Sequence, residues 1–166
     1  ALPPHPRHIY EPMKTKGDPK ILAFDTSGQH CAAALADNDA VYGDVVLDMA
    51  RGQAEALFPL LEDTLATRDC AWSDLNALAG GVGPGNFTGI RIGVSAARGL
   101  ALSLGIPAIG VSTFEVMAFQ HMGDSCLISL PAPRGRAFVQ PFRRGVPSGG
   151  PRLIGPAARP EGLEVS

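Results

Sequence analysis

Three observations in the sequence predict an α/β fold with the element order βββαβαβα. Three short apolar runs are separated by turn residues, the apolar spacing then changes to that of a helix, and strand and helix patterns alternate from there on. The opening runs are Ile21 to Phe24, closed by Asp25-Thr26-Ser27-Gly28; Cys31 to Ala36, closed by Asp37-Asn38-Asp39; and Val41 to Leu47. Turns of a few residues between them make this trio an antiparallel meander.

The period changes at Ala54, Leu57, Phe58, Leu61 and Leu65, which recur at helical spacing within 53–66. Leu60 lies off that stripe, and Pro59 is expected to kink the helix or mark its early turns. Leu75 to Val82 reads as a buried strand. It runs into Gly80-Gly81-Val82-Gly83-Pro84-Gly85-Asn86-Phe87-Thr88-Gly89-Ile90-Arg91, a glycine-rich bend at the start of a helix over 88–104. Within that helix Ile90, Val94, Ala97, Ala101 and Leu104 form one apolar seam. Ile106 to Val111 makes a further strand, and Ser112-Thr113-Phe114-Glu115 is a capping-box arrangement opening a helix toward Gln120. A hairpin-linked trio followed by parallel strands on helical crossovers describes a sheet of the ribonuclease H kind. The organisation expected is a flexible N-terminal extension over 1–19, one such lobe over 20–122, and a partial second lobe over 123–166 with a Pro/Gly-rich, disordered end.

Composition narrows the function classes. The 166 residues, 45% hydrophobic and 18% charged, suffice for one domain, or one domain plus a fragment, with a real core. A formal net charge of −2 and the lack of a basic run make the surface a poor grip for a nucleic-acid backbone unaided. Cys31, Cys70 and Cys126 have no C-x-x-C spacing and lie in or beside apolar runs, which fits the reduced, buried thiols of a cytosolic protein. The first 19 residues carry Pro3, Pro4, Pro6, Pro12 and Pro19 and no long apolar core, so they read neither as a signal peptide nor as a membrane span. Their His5 and His8 lack the ordered shell and further ligands that zinc requires.

Two residue sets stand out for function. At the glycine corner Gly83 and Gly85 permit positive φ and close backbone approach, Pro84 fixes its own φ, and Thr88 is placed to accept a bond from a first-turn amide. A helix start favours anions, so Gly83, Gly85, Asn86 and Thr88 are candidate phosphate contacts. The spacing is neither that of a Walker A loop nor G-x-G-x-x-G, and a purely structural tight turn is the plainer reading. In the following helix Gly89, Gly93 and Gly99 each cost about 1 kcal/mol relative to alanine. Gly89, Gly93 and Ala97 lie four apart, where small residues let another backbone approach closely. Opposite the seam lie Arg91, Ser95, Arg98 and Leu102, a mixed face suited to a partner and equally to solvent, with arginine stems covering apolar atoms.

The run Ile21-Leu22-Ala23-Phe24-Asp25-Thr26-Ser27, the string Gly83-Pro84-Gly85-Asn86-Phe87-Thr88-Gly89-Ile90-Arg91-Ile92-Gly93 and the segment Gly105-Ile106-Pro107-Ala108-Ile109-Gly110-Val111-Ser112 together resemble the TsaB (YeaZ) family. That family belongs to the bacterial machinery for threonylcarbamoyladenosine in tRNA. The likeness covers about residues 20 to 144, and the G-P-G-x-F-T-G-x-R-I-G string is much more specific than a generic glycine loop. Arg134-Gly135-Arg136-Ala137-Phe138-Val139-Gln140 adds weaker support as the start of the family's second lobe.

The resemblance implies an actin-like, sugar-kinase and Hsp70-like ATPase (ASKHA) fold of two ribonuclease H-like lobes. It implies a non-catalytic scaffold that binds a TsaD-type catalytic subunit through first-lobe helices, with a TsaE-type ATPase joining them. The expected partner contacts are Leu57, Leu60, Leu61, Gly89, Arg91, Gly93, Val94, Ala97 and Arg98. No cofactor is expected on this chain alone, with ATP and a metal in the partner subunits; tRNA is reached only through the complex, no membrane is involved, and a homodimer is the alternative when the chain is alone. Asp25 and Ser27 take the place where active members of the superfamily hold phosphate and magnesium, yet no second acidic loop for magnesium is evident, and Asp25 can simply cap the turn after its strand.

A TsaD-like catalytic subunit needs an H-x-x-x-H pair on one helical face. This sequence has none, and His30 and His121 read as structural or solvated. The competing class is an enzyme, either a glycoprotease-type metallopeptidase or a free-standing nucleotide-dependent transferase, for which no positioned nucleophile or open metal site is visible. Departures from the family stand at Gln53, where many relatives have histidine, and at Pro131-Ala132-Pro133 before the arginine of the second lobe. The second lobe is expected to stop short of its usual helices.

Overall fold

The computed structural model describes residues 18–38, 40–121 and 123–156. The expected extension, with His5 and His8, lies outside the described residues up to position 17, as does the chain from position 157. The first nine elements are β1 (Ile21–Asp25), β2 (His30–Ala36), β3 (Val41–Asp48), α1 (Gln53–Ala66), a short 3-10 turn (Trp72–Asp74), β4 (Ala77–Gly81), α2 (Phe87–Leu104), β5 (Ala108–Val111) and α3 (Thr113–Phe119). The strands form one sheet of order β3-β2-β1-β4-β5. β1, β2 and β3 pair antiparallel, while β4 runs parallel to β1 and β5 parallel to β4. This is the ribonuclease H arrangement that a meander followed by helical crossovers dictates.

Strand alternation decides which face is buried. Cys31, Ala33 and Leu35 of β2, Leu22 and Phe24 of β1 and Leu78 of β4 point to the side covered by α1 and α2. Leu22, Leu57, Leu61 and Leu78 are at most 1% exposed, each contributing about 2 kcal/mol of transfer free energy. The buried face of α1 is Gln53, Leu57, Leu60, Leu61, Thr64 and Leu65. The apolar stripe expected from spacing is therefore rotated: Leu60 is core, while Ala54 and Phe58 lie on the exposed shoulder. The helix passes through Pro59 without ending. Glu55, whose carbonyl loses its usual donor at Pro59, is exposed like the proline, so water can satisfy it.

A second sheet is built from β6 (Ser125–Ala132), β7 (Arg136–Arg143), β8 (Val146–Pro147) and β9 (Arg152–Ile154), all antiparallel, with β6, β8 and β9 pairing to β7. α3 joins it by packing Phe114 and Ala118 onto Ile128 and Phe142. Arg144 and Gly145, with φ of 51° and 74°, form the two-residue β7–β8 turn, both positions left-handed as a type I′ hairpin requires. The described part of the Pro/Gly-rich end, expected to be disordered, is thus paired as far as Ile154. Its prolines lack a donor but still accept: the Pro141 carbonyl takes the Ser148 amide at 2.9 Å.

Candidate functional site

The glycine corner closes around the turn that follows β1. Gly83 has φ 83° and precedes a cis peptide to Pro84; its carbonyl accepts the Thr113 amide at 2.9 Å. The Asn86 amide donates to the Ser27 carbonyl at 2.6 Å. Asn86 also caps α2, its side-chain oxygen accepting the Thr88 amide at 3.0 Å. The cap expected from Thr88 therefore falls to Asn86, two positions earlier, because the helix begins at Phe87. A Cβ on Gly85 or Gly89 would run into the carbonyls of Ser27 and Thr26, respectively, and one on Gly93 would stand 2.8 Å from the Thr26 hydroxyl. Thr26 and Ser27 are 1% and 3% exposed, and the Thr26 hydroxyl donates to the Gly89 carbonyl at 2.7 Å. The Asn86 and Thr88 amides, which an anion would need, already have partners within the chain.

These contacts correct part of the expected partner surface. Gly89, Gly93 and Ala97 are the buried residues of α2 and face their own sheet, where β1 and its turn take the room that small residues leave. Leu57, Leu60 and Leu61 are core as well. Of the nine candidates, Arg91 and Arg98 are exposed and Val94 is half-buried. The Arg91 guanidinium stacks 3.9 Å from the centre of the Phe87 ring, itself 65% exposed.

Asp25 and Ser27 meet directly. One Asp25 oxygen accepts the Ser27 amide at 2.6 Å, and the other accepts the Ser27 hydroxyl at 3.0 Å. His30, which spacing isolates, sits with Nε2 3.4 Å from that second oxygen, because the β1–β2 hairpin folds positions 25 and 30 together. Asp25 stands between the hydroxyl and the imidazole, an arrangement that fixes a turn rather than one that activates a serine. The neighbouring Cys31 thiol is pushed up by burial and, second, by the Asp25 charge, which keeps it protonated and inert. Among the described residues no group of three or more His, Cys, Asp and Glu side chains could hold a metal ion.

Spacing alone missed a groove of about 440 Å³ between α1 and α2, lined by residues that include Phe58, Ile92, Ala96, Gly99 and Leu100, and also by Leu57, one of the nine expected partner contacts. Phe58 is 45% exposed beside it. A Cβ on Gly99 would meet nothing within 4 Å. The signal available in the sequence was the third helical glycine, which no contact among the described residues requires.

Sheet order, crossovers and the corner on β1 define a ribonuclease H-like lobe of the ASKHA class. Residues 40–131, more than half of the chain, match the family described as TsaD: tRNA N6-adenosine threonylcarbamoyltransferase. The chain belongs to that family and resembles its TsaB (YeaZ) members. It is 43% identical over 99 residues to the tRNA threonylcarbamoyladenosine biosynthesis protein TsaB of Escherichia coli (strain K12), covering 60% of this chain and 42% of that protein. The protein of the same name in Bacillus subtilis (strain 168) is 35% identical over 121 residues, 72% of this chain and 53% of that one. The solved structure of YeaZ from Pseudomonas aeruginosa superimposes with a TM-score of 0.78 at 26% identity, covering 89% of this chain and 73% of that one. The chain spans about half the length of these two curated relatives. No helix among the described residues is long and apolar enough to cross a membrane.

Proposed function

We propose that this chain is a non-catalytic scaffold in the synthesis of threonylcarbamoyladenosine in tRNA, and that the α1/α2 groove seats a TsaD-type catalytic subunit. The names of the relatives support the process, and Gly99 carries the surface. A mid-helix glycine costs about 1 kcal/mol relative to alanine, and among the described residues nothing approaches Gly99 to require it. A partner helix entering between Phe58, Ala96 and Leu100 uses that room. Arg91 and Arg98, exposed on the same helix, form the polar rim. In this reading ATP and the metal belong to the partners, a TsaE-type ATPase joins the pair, tRNA is met only through the complex, and the assembly is cytoplasmic. Alone, the chain covers the groove with a second copy.

The test is co-purification with a cognate TsaD, followed by a tRNA modification assay with and without this chain. A Gly99→Arg variant is expected to fold like the parent by circular dichroism, to lose co-elution with TsaD, and to lower modification to the level without the chain. Co-elution untouched by Gly99→Arg and by Phe58→Glu would move the interface elsewhere. Hydrolysis of ATP or casein by the chain alone, removed by a single substitution, would make it an enzyme.

A further inference from the structure

The formal charge of −2 conceals a division along the chain. Residues 18–121 carry twelve aspartates and glutamates against five lysines and arginines, a formal −7, whereas residues 123–156, which hold the second sheet, carry five arginines against Asp124 alone, a formal +4. Arg134, Arg143, Arg144 and Arg152 are exposed, and Arg136 is half-buried. Arg134, Arg143 and Arg152 form no ion pair among the described residues. Arg144 meets Asp124 at 3.2 Å, but the two side chains are 78% and 84% exposed, and so open a pair holds its arginine weakly. Arg134 stands in the β6–β7 turn and Arg144 in the β7–β8 turn, so the cations frame β7 from end to end, a span of about 23 Å. Arg152 pairs with Val139, and Arg143 follows Val139 by four residues, which puts both on the face opposite Phe138 and Phe142.

Packing within a fold does not call for this pattern. The layers of a domain bury apolar surface, and arginine is almost never fully buried without a partner, so further chain laid on the sheet would cover its aliphatic side chains and leave guanidinium heads in water. Guanidinium forks suit phosphate bidentately, and their spread along a whole strand describes an extended polyanion, not one small ion. We propose that in the assembly inferred above the second sheet lies along the RNA, its arginines holding backbone phosphates without reading bases. This rests on the scaffold reading and adds to it the face turned to the nucleic acid. The acidic first lobe is repelled from the same polyanion, which leaves its helices to protein contacts. A patch of four net charges, screened within about 8 Å at physiological salt, grips RNA only weakly by itself and adds to what the complex supplies.

The test uses the complex of this chain with a TsaD-type subunit. Phenylglyoxal, which modifies accessible arginines, is expected to label Arg134, Arg143 and Arg152 in the complex, and saturating tRNA to remove most of that labelling, read by mass spectrometry. A variant combining Arg134→Gln, Arg143→Gln and Arg152→Gln, all at exposed positions, is expected to bind fluorescent tRNA at least about tenfold more weakly near 0.1 M salt. The slope of log affinity against log salt should drop by about 2, whereas Arg68→Gln, on the first lobe, changes neither. Both variants keep co-elution with TsaD and the parent melting curve. A triple variant that co-elutes and binds tRNA like the parent overturns this proposal alone; a parent chain that does not co-elute overturns the scaffold reading and this proposal with it. Arginines left unlabelled without RNA, which would show protein already over them, also overturn it. So does protection by polyglutamate equal to that by tRNA, which would make an acidic polypeptide the occupant.

Discussion

Gly89 and Gly93 lie on the side of α2 turned to β1, where Thr26 and Ser27 take the space a side chain would need; Gly99, on the same helix, has open space around it. The residue type and its intrinsic cost are the same at all three positions, and only the surroundings differ. At the first two, a backbone carbonyl and a hydroxyl lie against the helix, with a bond from Thr26 to Gly89 at 2.7 Å. At the third, no contact among the described residues offsets the cost. Small residues on a helix therefore record close approach without saying whose chain approaches.

Substitution breaks that comparison in order of size. Gly89→Ala drives its methyl into the Thr26 carbonyl, a rigid obstacle, and is expected to lower unfolding free energy by about 3 kcal/mol in urea titration. Gly93→Ala meets the Thr26 hydroxyl oxygen, a side-chain atom that can give way only by straining its bond to the Gly89 carbonyl, and is expected to cost about 2 kcal/mol in the same measurement. Gly99→Ala reverses the sign, with a gain of about 1 kcal/mol in the chain kept dilute enough to be monomeric. A loss at Gly99 equal to that at Gly89 would erase the distinction.

The two helix caps offer a finer contrast. α2 is capped by the neutral Asn86, whereas α3 begins with a capping box in which the Ser112 hydroxyl donates to Glu115 at 2.7 Å and accepts the Glu115 amide at 3.2 Å. Ser112→Ala is expected to cost about 1 kcal/mol. The bonds from Ser112 hold the Glu115 carboxyl below its usual 4.5. Because the folded value is the lower one, the stabilisation is full above the ordinary value and is lost as pH falls through the folded one. Melting between about pH 3 and pH 6 should fall less steeply in Ser112→Ala than in the parent, the smallest of these effects.

The element order of the first lobe was legible because each element repeats its own period: the alternating small residues of β2 and the capping box of α3 need no tertiary context. Orientation was less legible. Ala54 and Phe58 share the spacing of core residues, yet the sheet takes Leu60 instead, since apolar residues nearly fill two sides of α1. The glycine stripe reads as a partner surface because the sheet and a partner ask for the same small residues. His30 was missed because its nearness to Asp25 exists only once the hairpin closes. The second sheet was hidden by its prolines and by Arg144-Gly145, which turns a hairpin without the usual Asn-Gly or Asp-Gly signal.

Cys31 and Cys70 are 0% and 7% exposed with thiols pushed up by burial, while Cys126 is only half-buried in the second sheet. A maleimide or disulfide reagent thus meets Cys126 in the native chain and reaches the other two sulfurs only after the first lobe opens. The molecule carries its own clock for that opening, readable by mass as labels accumulate, without a dye or an engineered handle.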